Sequence, residues 1–125
     1  MNVKISIPGE FTDLNSYIAA LNNNRYAGNE IKQIETNRVA WQCKNIPKMN
    51  NVRIEFDWYC PNKKKDKDNV AFGKKFILDG LVKAGVIPKD GWNNIDSFAD
   101  YFHIDMENPR VDVYIEEVSD GTDKV

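Results

Sequence analysis

Asp66 and Asp68 stand two residues apart in the run Lys63-Lys64-Lys65-Asp66-Lys67-Asp68-Asn69, which leads into a helical pattern carrying Lys74, Lys75 and Asp79. In extended chain, side chains at i and i+2 project to one side. Converging carboxylates repel unless a proton or a cation sits between them. Magnesium takes oxygen ligands octahedrally and keeps several waters; it polarises a phosphate oxygen and lowers the pKa of an attacking water. Asp90, in the Pro88-Lys89-Asp90-Gly91 turn, is a candidate third ligand carried back by the intervening helix. Carboxylates for a hard cation and lysines for a polyanion are what cutting a phosphodiester requires. A calcium loop fits less well, because Ala71 stands where the sharp-turn Gly belongs and Ile77 where the bidentate Glu belongs. The plainer reading is a solvated loop in which Asp68 or Asn69 caps the next helix.

The helix itself offers two lysines. Val70, Ile77, Leu78 and Leu81 share a sector of the helical wheel with Lys74, while Lys75 and Asp79 are i, i+4 neighbours beside Phe72 and Phe76. In the functional reading Lys75 reaches over the carboxylates and stabilises charge on a transferring phosphoryl group. In the plainer one it makes an exposed ion pair, and Lys74 snorkels out of the apolar stripe.

Stepping outward along the chain, Val3, Ile5 and Ile7 alternate as a short strand that Pro8-Gly9 ends. Thr12 or Asp13 can cap a helix with Leu14, Tyr17, Ile18 and Leu21 on one face, followed by a loop at Asn22-Asn23-Asn24. A second helix is expected from Asn29 to about Gln42. Val52 to Tyr59 is the clearest strand, with Val52, Ile54, Phe56 and Trp58 on one face and Arg53, Glu55, Asp57 and Tyr59 on the other. Asn69 to about Lys83 reads as one helix stopped near Gly85 and Pro88; Ser97 to Asp105 and Arg110 to Glu117 read as strands. The expected fold is α/β (α+β): a single small domain over residues 1–118, with a mixed sheet of about four strands packed against two or three helices. Residues 119–125 are expected to form a polar, loose tail.

A chain of 125 residues is long enough to bury about two-thirds of its unfolded surface. Its net charge of −2 argues against nucleic acid, but the distribution does not. Residues 61–88 carry seven Lys against three Asp, and residues 89–125 carry three basic against ten acidic side chains. A local basic field can steer a phosphate backbone in a mildly acidic protein. Two cysteines, Cys43 and Cys60, are too few for a disulfide scaffold and read as free thiols. No apolar run suggests a membrane span and no leader pattern is visible, so the cytoplasm is the expected compartment.

Asp66-Lys67-Asp68-Asn69, then Lys75 with Asp79-Gly80-Leu81, then Asp90, resemble the RusA family of Holliday-junction resolvases of bacteria and their prophages. The likeness covers roughly residues 50–117. It implies Asp66, Asp68 and Asp90 as magnesium ligands (manganese able to substitute), Lys75 as the essential lysine, and Asn69 and Asp79 in support. It also implies a homodimer that resolves four-way DNA junctions by paired symmetric nicks in recombination and repair, without a nucleotide cofactor. The chain departs from the compact pattern by about three residues at Val70-Ala71-Phe72-Gly73. Counting forward from Asp68 would choose Phe72, and counting back from Asp79 chooses Lys75; Lys74 stands as a substitute.

Lys63, Lys64, Lys65, Lys67 and Lys74 are the candidate phosphate contacts. If about four phosphates are neutralised per subunit, affinity should fall with a log–log salt slope near −4. His103, between Phe102 and Ile104 in a strand, reads as structural first and as a general acid–base second. Trp92, in the turn beside Asp90, is a candidate to touch a base or close a dimer. Two other function classes remain: a non-catalytic nucleic-acid-binding protein that keeps the fold, and a protein-interaction module whose basic segment meets an acidic partner.

Overall fold

The computed structural model describes residues 1–118; the tail expected from Ser119 lies outside them. The order is β1 (Asn2–Pro8), α1 (Leu14–Asn23), α2 (Arg25–Gln42), β2 (Val52–Cys60), α3 (Lys67–Ala71), α4 (Lys74–Lys83), β3 (Ile95–Ile104) and β4 (Arg110–Glu117). The strands form one mixed sheet in the order β1-β4-β2-β3. β4 pairs antiparallel with both β1 and β2, whereas β2 and β3 are parallel. Parallel neighbours need a long crossover, and α3 with α4 supplies it. The architecture is the expected single small domain, an α+β fold.

One face of the sheet makes the core. Val52, Ile54 and Phe56 are fully buried and Trp58 nearly so, and they pack with Ile5, Ile7, Val113, Ile115, Phe76, Ile77 and Leu81. Each such side chain contributes about 1.5–3 kcal/mol by leaving water. β2 therefore sits centrally and fixes where its two ends, and the loops that leave them, can lie.

β3 starts at Ile95 rather than Ser97, and the helix boundaries differ from the expected ones for local reasons. The asparagine run is not a loop: α1 continues to Asn23, and Asn24 alone joins two helices. Its N–H bonds to the carbonyl of Ala20, and its Oδ1 accepts from the N–H of Ala27. That cap starts α2 at Arg25 rather than at Asn29. The helix expected from Asn69 begins at Lys67 and breaks at Phe72-Gly73. There the hydrogen bonds tighten to the i−3 pattern, Gly73 N–H to Val70 and Lys75 N–H to Phe72. A Cβ on Gly73 would lie 2.9 Å from Phe11 Cβ and 3.2 Å from the Trp58 ring, so the chain passes the core here only as glycine. α4 then packs on α2 at Gly80, where a Cβ would be 2.4 Å from Val39 Cβ.

Candidate functional site at the edge strand

The two carboxylates of the charged run do not lie in extended chain. Asp66 is the N-cap of α3 in extended conformation, but Asp68 is already in the first helical turn. Residues i and i+2 of a helix do not face each other, so the geometric premise for convergence is lost once the helix starts at Lys67. Asp68 Oδ1 instead accepts from the N–H of Asn69 at 2.9 Å. Asp90 opens onto a separate cavity of about 290 Å³ with Trp92, Ile95, Asp96, Ser97 and Phe98. Among the described residues no three acidic, His or Cys side chains come close enough to hold a metal ion. The three-carboxylate set implied for magnesium is thus not assembled in this arrangement of one chain.

What is brought together is a basic cavity at the ends of β2 and β3. It measures about 520 Å³ and is lined by Asn62, Lys63, Lys65, Asp66, Lys67 and His103, with Cys60, Val70, Phe102 and Ile104 behind them. The parallel register of β2 and β3 places Tyr59 beside His103 and Cys60 beside Ile104. The loop after Pro61 consequently folds back over the end of the edge strand. Lys67 lies over the Phe102 ring, 5.6 Å from its centroid.

The lysines divide into held and free. Lys65 Nζ is 3.0 Å from Asp13 Oδ2 and 3.7 Å from Glu10. Burial works against its ammonium, but Asp13 and Glu10 outweigh it and hold its pKa above the ordinary lysine value. Asp13 is itself the α1 N-cap and accepts from the N–H of Ser16 at 2.8 Å. Lys65 is therefore a tether of the loop to α1, leaving Lys63, Lys64 and Lys67 as the lysines of the run in no ion pair among the described residues. Asn69 has a similar task. Its Oδ1 accepts from the N–H of Asn15 at 2.9 Å, so it caps α1 from across the fold rather than its own helix.

Lys74 and Lys75 separate clearly. Lys74 turns to the sheet, where Nζ is 2.7 Å from Asp100 Oδ2 and 4.8 and 5.2 Å from the ring centroids of Phe98 and Phe56. Asp100 Oδ1 also accepts from Trp58 Nε1 at 2.9 Å. Phe98 lines the Asp90 cavity and Phe102 the Asp66 cavity, so Asp100 lies between them along β3, and Lys74 reaches it from α4. Lys75 pairs along α4 with Asp79 at 3.2 Å and is half exposed.

The other sheet face, expected to present Glu55 and Asp57 to solvent or a partner, is partly closed. Asp57 is 8% exposed and Asp112, opposite it on β4, only 2%. Asp112 is held by Ser6 at 2.7 Å, Arg110 at 3.4 Å and Lys4 at 3.8 Å. Asp57 Oδ1 is 2.7 Å from His103 Nε2, and the imidazole stacks on Tyr59 at 4.5 Å between centroids.

Sequence reasoning passed over Asp100 and the Asp57–His103 pair. Asp100 was readable, because it interrupts the alternating apolar positions Phe98 and Phe102 of β3. The pairing of Asp57 with His103 was not, since it depends on two strands lying side by side. Cys43 is buried and unpaired, and burial pushes its thiol up to about 11. Cys60 is also unpaired and half-buried, and burial raises it too; both read as packing groups. No helix among the described residues is long and apolar enough to cross a membrane. No protein-family model matches the chain, and no curated protein matches it.

Proposed function

We propose that this protein is a structure-selective endodeoxyribonuclease that nicks branched DNA, four-way junctions first among its substrates. The observation that carries the reading is the cavity that sets Lys63, Lys65 and Lys67 around Asp66 at the end of an edge strand. Lys63 and Lys67, in no ion pair among the described residues, can hold a phosphodiester by charge while the bases stay outside, as a reader of backbone geometry rather than sequence requires. Lys74 is the better-placed of the two candidate lysines, because its Nζ reaches from α4 to Asp100 of β3, which stands between Phe98 of one cavity and Phe102 of the other. A homodimer belongs to the same proposal: paired cuts in a two-fold-symmetric junction call for two sites related by a two-fold axis.

The magnesium requirement is an expectation of the sequence resemblance, and no chemical step is assigned to the metal. Asp66 and Asp68 are its nearest candidate donors, and Asp90 stands apart from them. Cleavage of a labelled four-way junction, beside linear duplex of the same sequence, tests the proposal. Paired nicks confined to the junction, lost in Asp66→Asn while binding persists, are expected. A protein that binds the junction equally with chelator or magnesium and never nicks it would be a binding module instead.

A further inference from the structure

The sole histidine of the chain stands at the rim of the basic cavity, and its surroundings are those of a working acid. His103 lines the cavity with Lys63, Lys65, Asp66 and Lys67. Its side chain is 40% exposed, so the ring is reachable, whereas the Asp57 side chain that holds it is 11% exposed. A carboxylate on one ring nitrogen fixes the ring's orientation and leaves the other nitrogen for a substrate.

The Asp57 Oδ2 is buried and has no hydrogen-bond partner among the described residues. Asp57 Oδ1 accepting from His103 Nε2–H leaves Nδ1 for a substrate. Tyr59 stacks on the ring from β2, and Arg110 of β4 lies 3.8 Å over Tyr59. Tyr101 faces Asp57 from β3, and Asp112 faces it from β4.

We propose that His103, oriented by Asp57, is the general acid that protonates the leaving ester oxygen when a phosphodiester held by the cavity lysines is cut. The inference rests on the nuclease reading above. In the step, a water oxygen bonds to phosphorus and the bond from phosphorus to the leaving oxygen breaks. That oxygen takes the Nδ1 proton of the imidazolium, and the attacking water gives a proton to solvent. The products are a phosphate monoester and an alcohol, and the imidazole is reprotonated from solvent. Asp57 is a positioning residue, since it holds the ring and does not touch the substrate.

The test compares a junction with normal phosphodiesters against one with sulfur in place of the leaving oxygen at the mapped cut. A thiolate leaves without a proton, so only a general acid is dispensable for it. His103→Gln is expected to lower kcat on the oxygen substrate by about 10²–10⁴-fold, to cut the sulfur substrate at near wild-type rate, and to bind both junctions unchanged. Asp57→Asn, which removes the carboxylate that orients the ring, should slow the oxygen substrate and leave the sulfur substrate near its parent rate. Equal slowing of both substrates by His103→Gln, or no slowing of either, overturns the inference and leaves the nuclease reading intact. Folded wild-type protein that cleaves no junction overturns both.

Discussion

Replacing Lys74 by Met removes a charge and keeps an unbranched stem, so it isolates what the ammonium contributes. The lysine and Asp100 side chains are 22% and 26% exposed, which puts their pair between two regimes. Exposed pairs contribute roughly 0.2–1 kcal/mol, and breaking a fully buried pair costs about 3–5 kcal/mol. A loss of about 1–2 kcal/mol is the expected interpolation, with about 0.5 kcal/mol of it from the Phe98 and Phe56 rings beneath the ammonium. Asp100 keeps the Trp58 indole N–H, which prevents the larger loss of a stranded carboxylate. With a urea slope of about 1.5 kcal/mol per molar, the unfolding midpoint should fall by roughly 1 M. Lys75→Met should move it by no more than a few tenths of a molar, because that pair is exposed on the lysine side. The assay is equilibrium urea unfolding of both variants, of Asp100→Asn, and of the Lys74→Met/Asp100→Asn double variant. A coupling of about 1 kcal/mol between positions 74 and 100 is expected. Additive effects, or equal losses at 74 and 75, would refute the placement of Lys74 against the sheet. Junction cleavage by the same proteins then separates holding from reacting. If Lys74 also meets the phosphate, its loss should lower kcat about 10²–10³-fold, well beyond what the stability change removes at working temperature.

Further expectations concern single contacts. Gly80→Ala gains about 1 kcal/mol of helix propensity but drives a methyl to 2.4 Å from Val39; a net loss of about 1–2 kcal/mol is expected, partly restored by Val39→Ala, and thermal unfolding of the pair of variants decides it. Replacing Lys63, Lys64 and Lys67 together by Ala should make the log–log salt slope of duplex binding shallower by about 2.7. Lys65→Ala should instead lower stability and leave the slope nearly unchanged, because that ammonium is held by Asp13. Burial opposes the Asp13 carboxylate, but the Ser16 N–H and Lys65 outweigh it and hold its pKa below the ordinary 3.8. Its contribution is therefore complete above that value and is lost as pH falls through the folded-state pKa; urea midpoints of Asp13→Asn should fall less steeply below about pH 4 than those of the parent. Cys43 should resist thiol reagents at pH 8 until the chain unfolds, since burial holds it as the thiol.

Strand periodicity was legible because it is local: the alternation of Val52, Ile54, Phe56 and Trp58 needs no partner to be read, and β2 follows it closely. The same holds for β4. The break at Gly73 was not legible, because nothing in Ala71-Phe72-Gly73-Lys74 reports that Phe11 and Trp58 press on that backbone. Asn24 hid for a related reason, since three consecutive asparagines read as loop while one of them caps the following helix. At the site, residue types were readable and their commitments were not. Lys65 and Asn69 carry the chemistry expected of a phosphate or ligand contact, yet both hold the start of α1, more than fifty positions earlier. Asp66 and Asp68 fit a converging pair only while the backbone is extended, and the helix start at Lys67 removes that condition. His103 and Asp57 join through the parallel register of two strands 46 positions apart, a relation that no local pattern encodes.

The strand order has a consequence for how the chain comes off the ribosome. β1 has one sheet neighbour, β4, and the register sets Asn2 against Glu116. Until that last strand emerges, the first has no ladder to join, and Ile5 and Ile7 have no Val113 or Ile115 beside them. β2 waits for the same segment on its inner side. The sheet therefore closes only once β4 has emerged, by its insertion between β1 and β2. Nascent chains halted before residue 110 should remain open to proteases and to chaperones that hold apolar segments, and release of the last eight-residue strand should close the domain in one step.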